Sequence, residues 1–265
     1  MDLSLKNRKV VITGAGEGIG RALAIAFARE GALVGVCART SDRLNSLAEE
    51  IMGNGHVLQL ADLTKQREIE TFHQKILDSF RNIDILVNNV GSILKPGNFF
   101  ELSDEDWQAS FEINLMSAVR LTRLFIPSLK HSVVPRIINI SSIAAYKPGN
   151  LFPHYSAMKA ALSNLTVSLA QTLVPNNILV NSVSPGPVWT SSWEKEARQR
   201  AQKTEADFNK ARDDLFNQTS QHVLLKRMGL PEDVTGLVLF LASDQANWIT
   251  ASNFTVDGGI TQDPF

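Results

Sequence analysis

Cysteine occurs once and tyrosine twice, and neither sign of charge prevails: 26 Lys and Arg stand against 27 Asp and Glu, a formal net charge of −1. With a single thiol, Cys37, no internal disulfide can form, and its place in the apolar run 32–37 points to a small buried side chain. The balanced charge offers no strongly basic surface, so nucleic acid is not expected as a partner. No run of about 18 apolar residues occurs, and no long apolar core follows the basic residues of 1–9. A soluble, cytoplasmic protein without membrane association is therefore expected. The five histidines keep no close metal-ligand spacing, so no metal site is expected. Internal repeats and low-complexity segments are also missing.

What the chain does have is length and apolar content. Its 265 residues are 44% hydrophobic and 20% charged, enough to fill the core of one sizeable domain spanning 1–265. Short apolar runs at 8–13, 33–37, 56–60, 83–87, 136–140, 178–183 and 253–256 predict seven strands. Helical patterns alternate with them at 21–30, 43–52, 66–80 and near 104–129, and another holds Tyr155 and Lys159. Pro231-Glu232-Asp233 starts one more, with proline in the first turn and acids at its positive end. Such alternation predicts an α/β fold: a doubly wound, mainly parallel seven-stranded sheet with helices on both faces.

Residues 189–225 depart from this rhythm. Six basic and six acidic residues fall within 194–214, with Ala197, Ala201, Phe208, Ala211 and Leu215 as a narrow apolar stripe at helical spacing. One or two helices laid on the body are expected. The segment follows the Pro185-Gly186 turn at the carboxyl end of a strand, the edge along which open α/β sheets bind ligands, which favours a helical lid. A solvated surface excursion is the alternative.

Two motifs carry chemistry. Thr13-Gly14-Ala15-Gly16-Glu17-Gly18-Ile19-Gly20 joins the first strand to the first helix, where glycines let the backbone approach a pyrophosphate held by helix amides; a tight turn with packing glycines is the plainer reading. Tyr155 and Lys159 lie four apart, on one helix face, where an ammonium beside the phenol favours the phenolate. Ser142 stands upstream of them.

Together with Asn88-Asn89-Val90-Gly91, Asn114 and Pro185-Gly186, these motifs resemble the short-chain dehydrogenase/reductase superfamily over nearly the whole chain, about 6 to about 260. The resemblance is to the branch that includes 3-oxoacyl-carrier-protein reductases and hydroxysteroid dehydrogenases, and it implies a Rossmann fold. It implies that Tyr155 is the general acid-base, that Ser142 binds the substrate oxygen, and that Lys159 holds the nicotinamide ribose and lowers the Tyr155 pKa. Asn114 matches the residue that ties Lys159 to solvent through a water. Gly14, Gly16, Glu17, Gly18, Ile19 and Gly20 would cradle the pyrophosphate. Asp62 and Leu63 would contact adenine, Asn89 and Gly91 would wall the adenosine pocket, and Val188 and Thr190, after Pro185 and Gly186, would meet the carboxamide.

The second strand ends in Ala38-Arg39-Thr40-Ser41. An acid there would hold the ribose hydroxyls and repel a 2′-phosphate; Arg39 instead suits phosphate, so NADP is expected, with NAD as the alternative. Against this, Glu17 stands where some NADP-dependent members carry a base. Trp189 and Trp193, with Ile93, Leu94, Phe99 and Phe100, occupy loops that the family folds over the substrate, though such aromatics also serve as core anchors. His154 is expected at the substrate edge or surface. The implied activity is reversible hydride transfer between NADP and a small-molecule ketone or secondary alcohol, in a homotetramer. A cofactor-binding regulator or scaffold without turnover, and an NAD-dependent alcohol oxidation, are the competing readings.

Overall fold

Each of the seven apolar runs is a strand of one sheet in the computed structural model, which describes residues 2–204 and 207–262. They are β1 (Lys9–Ile12), β2 (Leu33–Ala38), β3 (Val57–Leu60), β4 (Ile85–Asn88), β5 (Arg136–Ile140), β6 (Leu179–Pro185) and β7 (Asn253–Val256). Their order is β3-β2-β1-β4-β5-β6-β7, and every neighbouring pair is parallel. The chain winds outward from β1 to β3, then returns to β4 on the other side of β1. That reversal leaves a crevice at the carboxyl ends of β1 and β4, where neighbouring connections diverge.

The strands read as continuous apolar runs because both faces are covered. Side chains alternate between faces along a strand: Val10 and Ile12 join one core with Val34, Val36, Ile85 and Val87, while Val11, Cys37 and Leu86 join the other. Helices α1 (Gly18–Arg29), α2 (Ser41–Glu50) and α9 (Pro231–Ala242) close the first core with Leu23, Phe27, Leu47 and Val238. Helices α3 (Gln66–Phe80), α5 (Ser117–Leu129) and α6 (Pro153–Leu173) close the second with Phe72, Ile76, Phe125 and Ala170. Cys37 is buried as expected, and loss of solvation pushes its thiol up to about 12, which leaves it a neutral core group.

Two regions differ from the sequence expectation. The helix expected over 104–129 is α4 (Asp104–Phe111), a π-helical turn at Glu112–Met116, and α5. Ser103 starts α4 with a capping box to Asp106, and three acids occupy its first turn, where the helix dipole favours them. The 189–225 stretch forms α7 (Ser191–Thr204) and α8 (Phe208–Gln221), which pack on each other and bury Ala197, Ala201, Ala211 and Leu215 from the expected stripe. Residues 205 and 206, within the same expected lid, and residues 1 and 263–265 of the expected domain lie outside the described residues.

Candidate active site

The ends of β1 and β4 are tied by the hydroxyl of Thr13, which accepts from the amides of Asn89 (2.9 Å) and Val90 (3.0 Å). The Asn89 side chain returns bonds to the carbonyls of Thr13 (2.9 Å) and Gly14 (3.3 Å). Gly20 is required just beyond, because a Cβ there would lie 2.4 Å from both Gly14 O and Asn89 Nδ2. Neither the backbone nor the bonded amide can yield without undoing this tie. Gly20→Ala is expected to cost about 1–3 kcal/mol as an overpacked contact, read as a lower denaturant midpoint at unchanged slope.

Glu17 is the extended residue before α1, gives that helix no side-chain cap, and is followed by a first turn without acids. The dipole of α1 and the amides of its first turn are thus left for an anion at the cleft. That cleft has a volume of about 1100 Å³ and runs along the carboxyl edge of the sheet. It is lined by Gly14, Gly16, Glu17, Gly18, Ile19, Arg39, Asp62, Leu63, Asn89, Gly91, Pro185, Gly186, Val188 and Thr190, all expected from the sequence. Gly20 lies behind this lining as a packing residue. Burial pushes the Asp62 carboxyl up, but the amide and hydroxyl of Thr64, with Lys65 and Arg39 nearby, outweigh it and hold the group below its usual range.

Deeper along the same wall stand Ser142, Tyr155 and Lys159. Ser142 caps the 3-10 turn Ile143–Ala145 by accepting from the amide of Ala144 (3.1 Å). Tyr155 and Lys159 share the inward face of the first turns of α6, which Pro153 opens. Lys159 is 2% exposed, donates to the carbonyl of Ile140 (2.8 Å), and lies 5.7 Å from the Tyr155 ring centre. Its burial lowers its own pKa to about 8. The net direction for the phenol differs from expectation: burial raises the Tyr155 pKa and outweighs the opposing hydrogen bond with Ser142. The ammonium sits against the ring, away from direct contact with the phenolic oxygen, so desolvation decides the direction.

Asn114 falls in the π-helical turn, fully held: its amide nitrogen donates to Ser92 O (3.0 Å), Ser110 O (3.1 Å) and Ser110 Oγ (3.1 Å), and its oxygen accepts from the amide of Ser92 (2.8 Å). It is buried behind the cleft lining. Gly91 separates it from Lys159: a Cβ there would lie 2.7 Å from Lys159 Nζ and 3.1 Å from Asn114 Oδ1, so any side chain would push the ammonium aside.

His154 is neither at the substrate edge nor on the surface. It is fully buried, with its ring edge-on to Trp107 of α4 at 6.1 Å. One position from Tyr155 on a helix turns a side chain by about 100°, here from the cleft toward α4. Burial lowers its pKa, against the opposing field of Asp106, and so favours the neutral ring. Trp193 of α7 lines the cleft, but Trp189 does not. Trp189 stacks on Trp193 (6.4 Å between centres) and meets Phe216 of α8 edge-on (5.8 Å), an anchor for the two helices. Ile93 also lines the cleft, while Leu94, Phe99 and Phe100 are exposed outside its lining.

Sequence reasoning missed two features. One is Arg43, whose guanidinium pairs with Glu17 at the cleft wall. The other is a buried polar chain beneath the site, in which Asn88 donates to Thr122 (3.0 Å) and Asn139 (2.9 Å), and Asn139 donates to Thr166 (2.9 Å). Asn139, set between Ile138 and Ile140 of β5, was its visible signal.

A family model described as enoyl-(acyl carrier protein) reductase matches residues 14–261. The uncharacterized oxidoreductase YvrD of Bacillus subtilis is 39% identical, with 98% of each chain covered. The 3-oxoacyl-[acyl-carrier-protein] reductase FabG of Thermotoga maritima is 31% identical, over 97% of this chain and 99% of its own. Among solved structures, the L-sorbose reductase of Gluconobacter frateurii, complexed with NADPH and L-sorbose, superposes with a TM-score of 0.92 at 32% identity, covering 99% of this chain and all of its own.

Proposed function

The chain belongs to the short-chain dehydrogenase/reductase superfamily of oxidoreductases, and from that premise we propose that it is an NADP-dependent reductase of a ketone to a secondary alcohol. The observation that carries this reading is the convergence of Ser142, Tyr155 and Lys159 on one wall of a cleft whose other end is the Gly14–Gly20 cradle. The first-turn amides of α1 would hold the pyrophosphate, and Asp62, Leu63, Asn89 and Gly91 the adenosine. Lys159 would take the nicotinamide ribose, and Val188 and Thr190 the carboxamide. The bound nicotinamide supplies the hydride.

The chain's own residues do the rest. Ser142 donates to the substrate carbonyl oxygen and fixes it beside the Tyr155 hydroxyl, which gives up its proton as the alcohol forms. The phenolate left on Tyr155 is stabilised by the Lys159 ammonium, and Asn114, held by Ser92 and Ser110, keeps the wall around Lys159 in place. Trp193 and Ile93 present apolar surface to the substrate, and α7 with α8 closes over it as a lid. The whole chain acts as one domain, in a cytoplasmic homotetramer.

NADP is favoured by Arg39 at the end of β2, where no acid stands, and by the NADPH bound to the sorbose reductase relative. Arg39→Asp is expected to reduce the preference for NADP over NAD in initial rates by about tenfold or more, since a charge-assisted bond to phosphate becomes a repulsion. An unchanged preference would remove Arg39 from this role. The reaction itself is tested by following loss of reduced-nicotinamide absorbance over a panel of sugars, β-ketoacyl thioesters and cyclic ketones. Binding of cofactor without turnover of any carbonyl would favour the regulatory reading instead.

A further inference from the structure

Arg43 stands in the first turn of α2 with Nη2 2.6 Å from Oε2 of Glu17, the residue that opens α1. The two side chains are 41% and 37% exposed, so this is a solvent-facing pair of the kind that adds little to folding. Both line the cleft, in the same region as Arg39 at the end of β2. The stem of Arg43 runs beside Gly16: a Cβ on Gly16 would lie 3.3 Å from both Cβ and Cδ of Arg43. Arg21, a further guanidinium packed along α2, is engaged by Glu50 (2.8 Å) and Ser46 (2.9 Å) farther down that helix.

Arg39 and Arg43 thus both border the cleft, and the guanidinium of Arg43 is occupied by a carboxylate from the glycine-rich loop itself. Resting on the NADP reading, we infer that Arg43 is a second ligand of a phosphomonoester, the 2′-phosphate, and that Glu17 occupies its fork until the phosphate displaces it. A phosphomonoester presents three acceptor oxygens and up to two charges, against two oxygens and one charge for the carboxylate, so the guanidinium exchanges partners in favour of phosphate. With a cofactor that lacks this phosphate, the Glu17–Arg43 pair stays closed. The acid that stands where a base would be expected thus neutralises Arg43 beside Arg39 in the free protein, and its displacement is the cost that only the phosphorylated cofactor meets.

Dissociation constants for NADP+ and NAD+, measured by titration calorimetry without turnover, test this on the wild type, Arg43→Ala and Glu17→Gln. Arg43→Ala is expected to weaken NADP+ about tenfold and leave NAD+ within about twofold, the loss of one charge-assisted pair. Glu17→Gln is expected to tighten NADP+ about threefold, the release of one exposed ion pair. Adenosine 2′,5′-bisphosphate, the fragment that carries the phosphate, should follow the NADP+ pattern in both variants. Equal weakening of both cofactors by Arg43→Ala, or none, overturns the inference while an NADP+ preference in the wild type keeps the function reading. A wild type that binds the two cofactors equally overturns both.

Discussion

Tyr155→Phe is expected to lower kcat/KM for carbonyl reduction by about 10³-fold, within the range that a positioned general acid supplies, while cofactor affinity stays within about twofold. The substitution removes one oxygen and keeps the ring in place, which packs edge-on against Phe152 at 6.1 Å. Burial raises the Tyr155 pKa, so the phenol carries its proton throughout the neutral range and is ready to donate. Lys159, lowered to about 8, must be charged to receive the phenolate beside it. The reductive kcat/KM of the free enzyme should therefore hold level below about pH 8 and fall above it as the ammonium is lost. Steady-state rates with a cofactor titration as control measure both effects, and full turnover by the phenylalanine variant would end Tyr155's candidacy.

Lys159→Met should do two opposite things: reduce turnover by about 10²-fold or more, as a group stabilising the phenolate is lost, and stabilise the cofactor-free protein at neutral pH. A lysine at 10.5 in the unfolded chain and about 8 in the fold binds fewer protons folded than unfolded between those values, so stability rises with pH across that window. Below about pH 8 the full penalty of the buried ammonium, about 3 kcal/mol, is present. Methionine has similar reach and no charge, but leaves the carbonyl of Ile140 without its 2.8 Å donor, at about 1–3 kcal/mol. The net expectation is a gain of about 1 kcal/mol at pH 7, turning to a loss by pH 10, where the wild type has shed most of its penalty. Denaturant unfolding at the two pH values reads the change of sign. A variant equally destabilised at both would show that Lys159 is not held against a desolvation cost.

The strands were legible because a sheet covered on both faces writes short apolar runs, and 136–140 and 253–256 coincide with β5 and β7. The same holds for 66–80, whose period of about 3.6 residues is that of α3. The π-helical turn that carries Asn114 was not legible, since one wider turn changes hydrogen bonding without disturbing the apolar pattern on either side. The burial of His154 is invisible in sequence because the surface that covers it belongs to Trp107 on α4, and its own neighbours in the chain say nothing of that contact. The place of Trp189 after Pro185-Gly186 suggests a substrate contact, but its ring partner Phe216 comes from a different helix. The Glu17–Arg43 pair joins two elements at a spacing that no local rule marks. Ser142, Tyr155 and Lys159, by contrast, are linked by ordered motifs, and the sheet delivers all three to one wall.

The buried polar chain beneath that wall has a bearing on how the chain assembles. Parallel strands with apolar residues on both faces discriminate poorly between alignments, because a slip by one residue exchanges valine for isoleucine or leucine and keeps the surface greasy. Asn88 lies opposite Asn139 in the pairing of β4 with β5, and the bond from the Asn88 amide nitrogen to the Asn139 oxygen depends on that alignment. A slipped pairing would strand these amides in the core at about 1–3 kcal/mol apiece. The two asparagines thus proofread the central strand junction, admitting the single alignment that also carries Ser142 to the edge where Tyr155 waits.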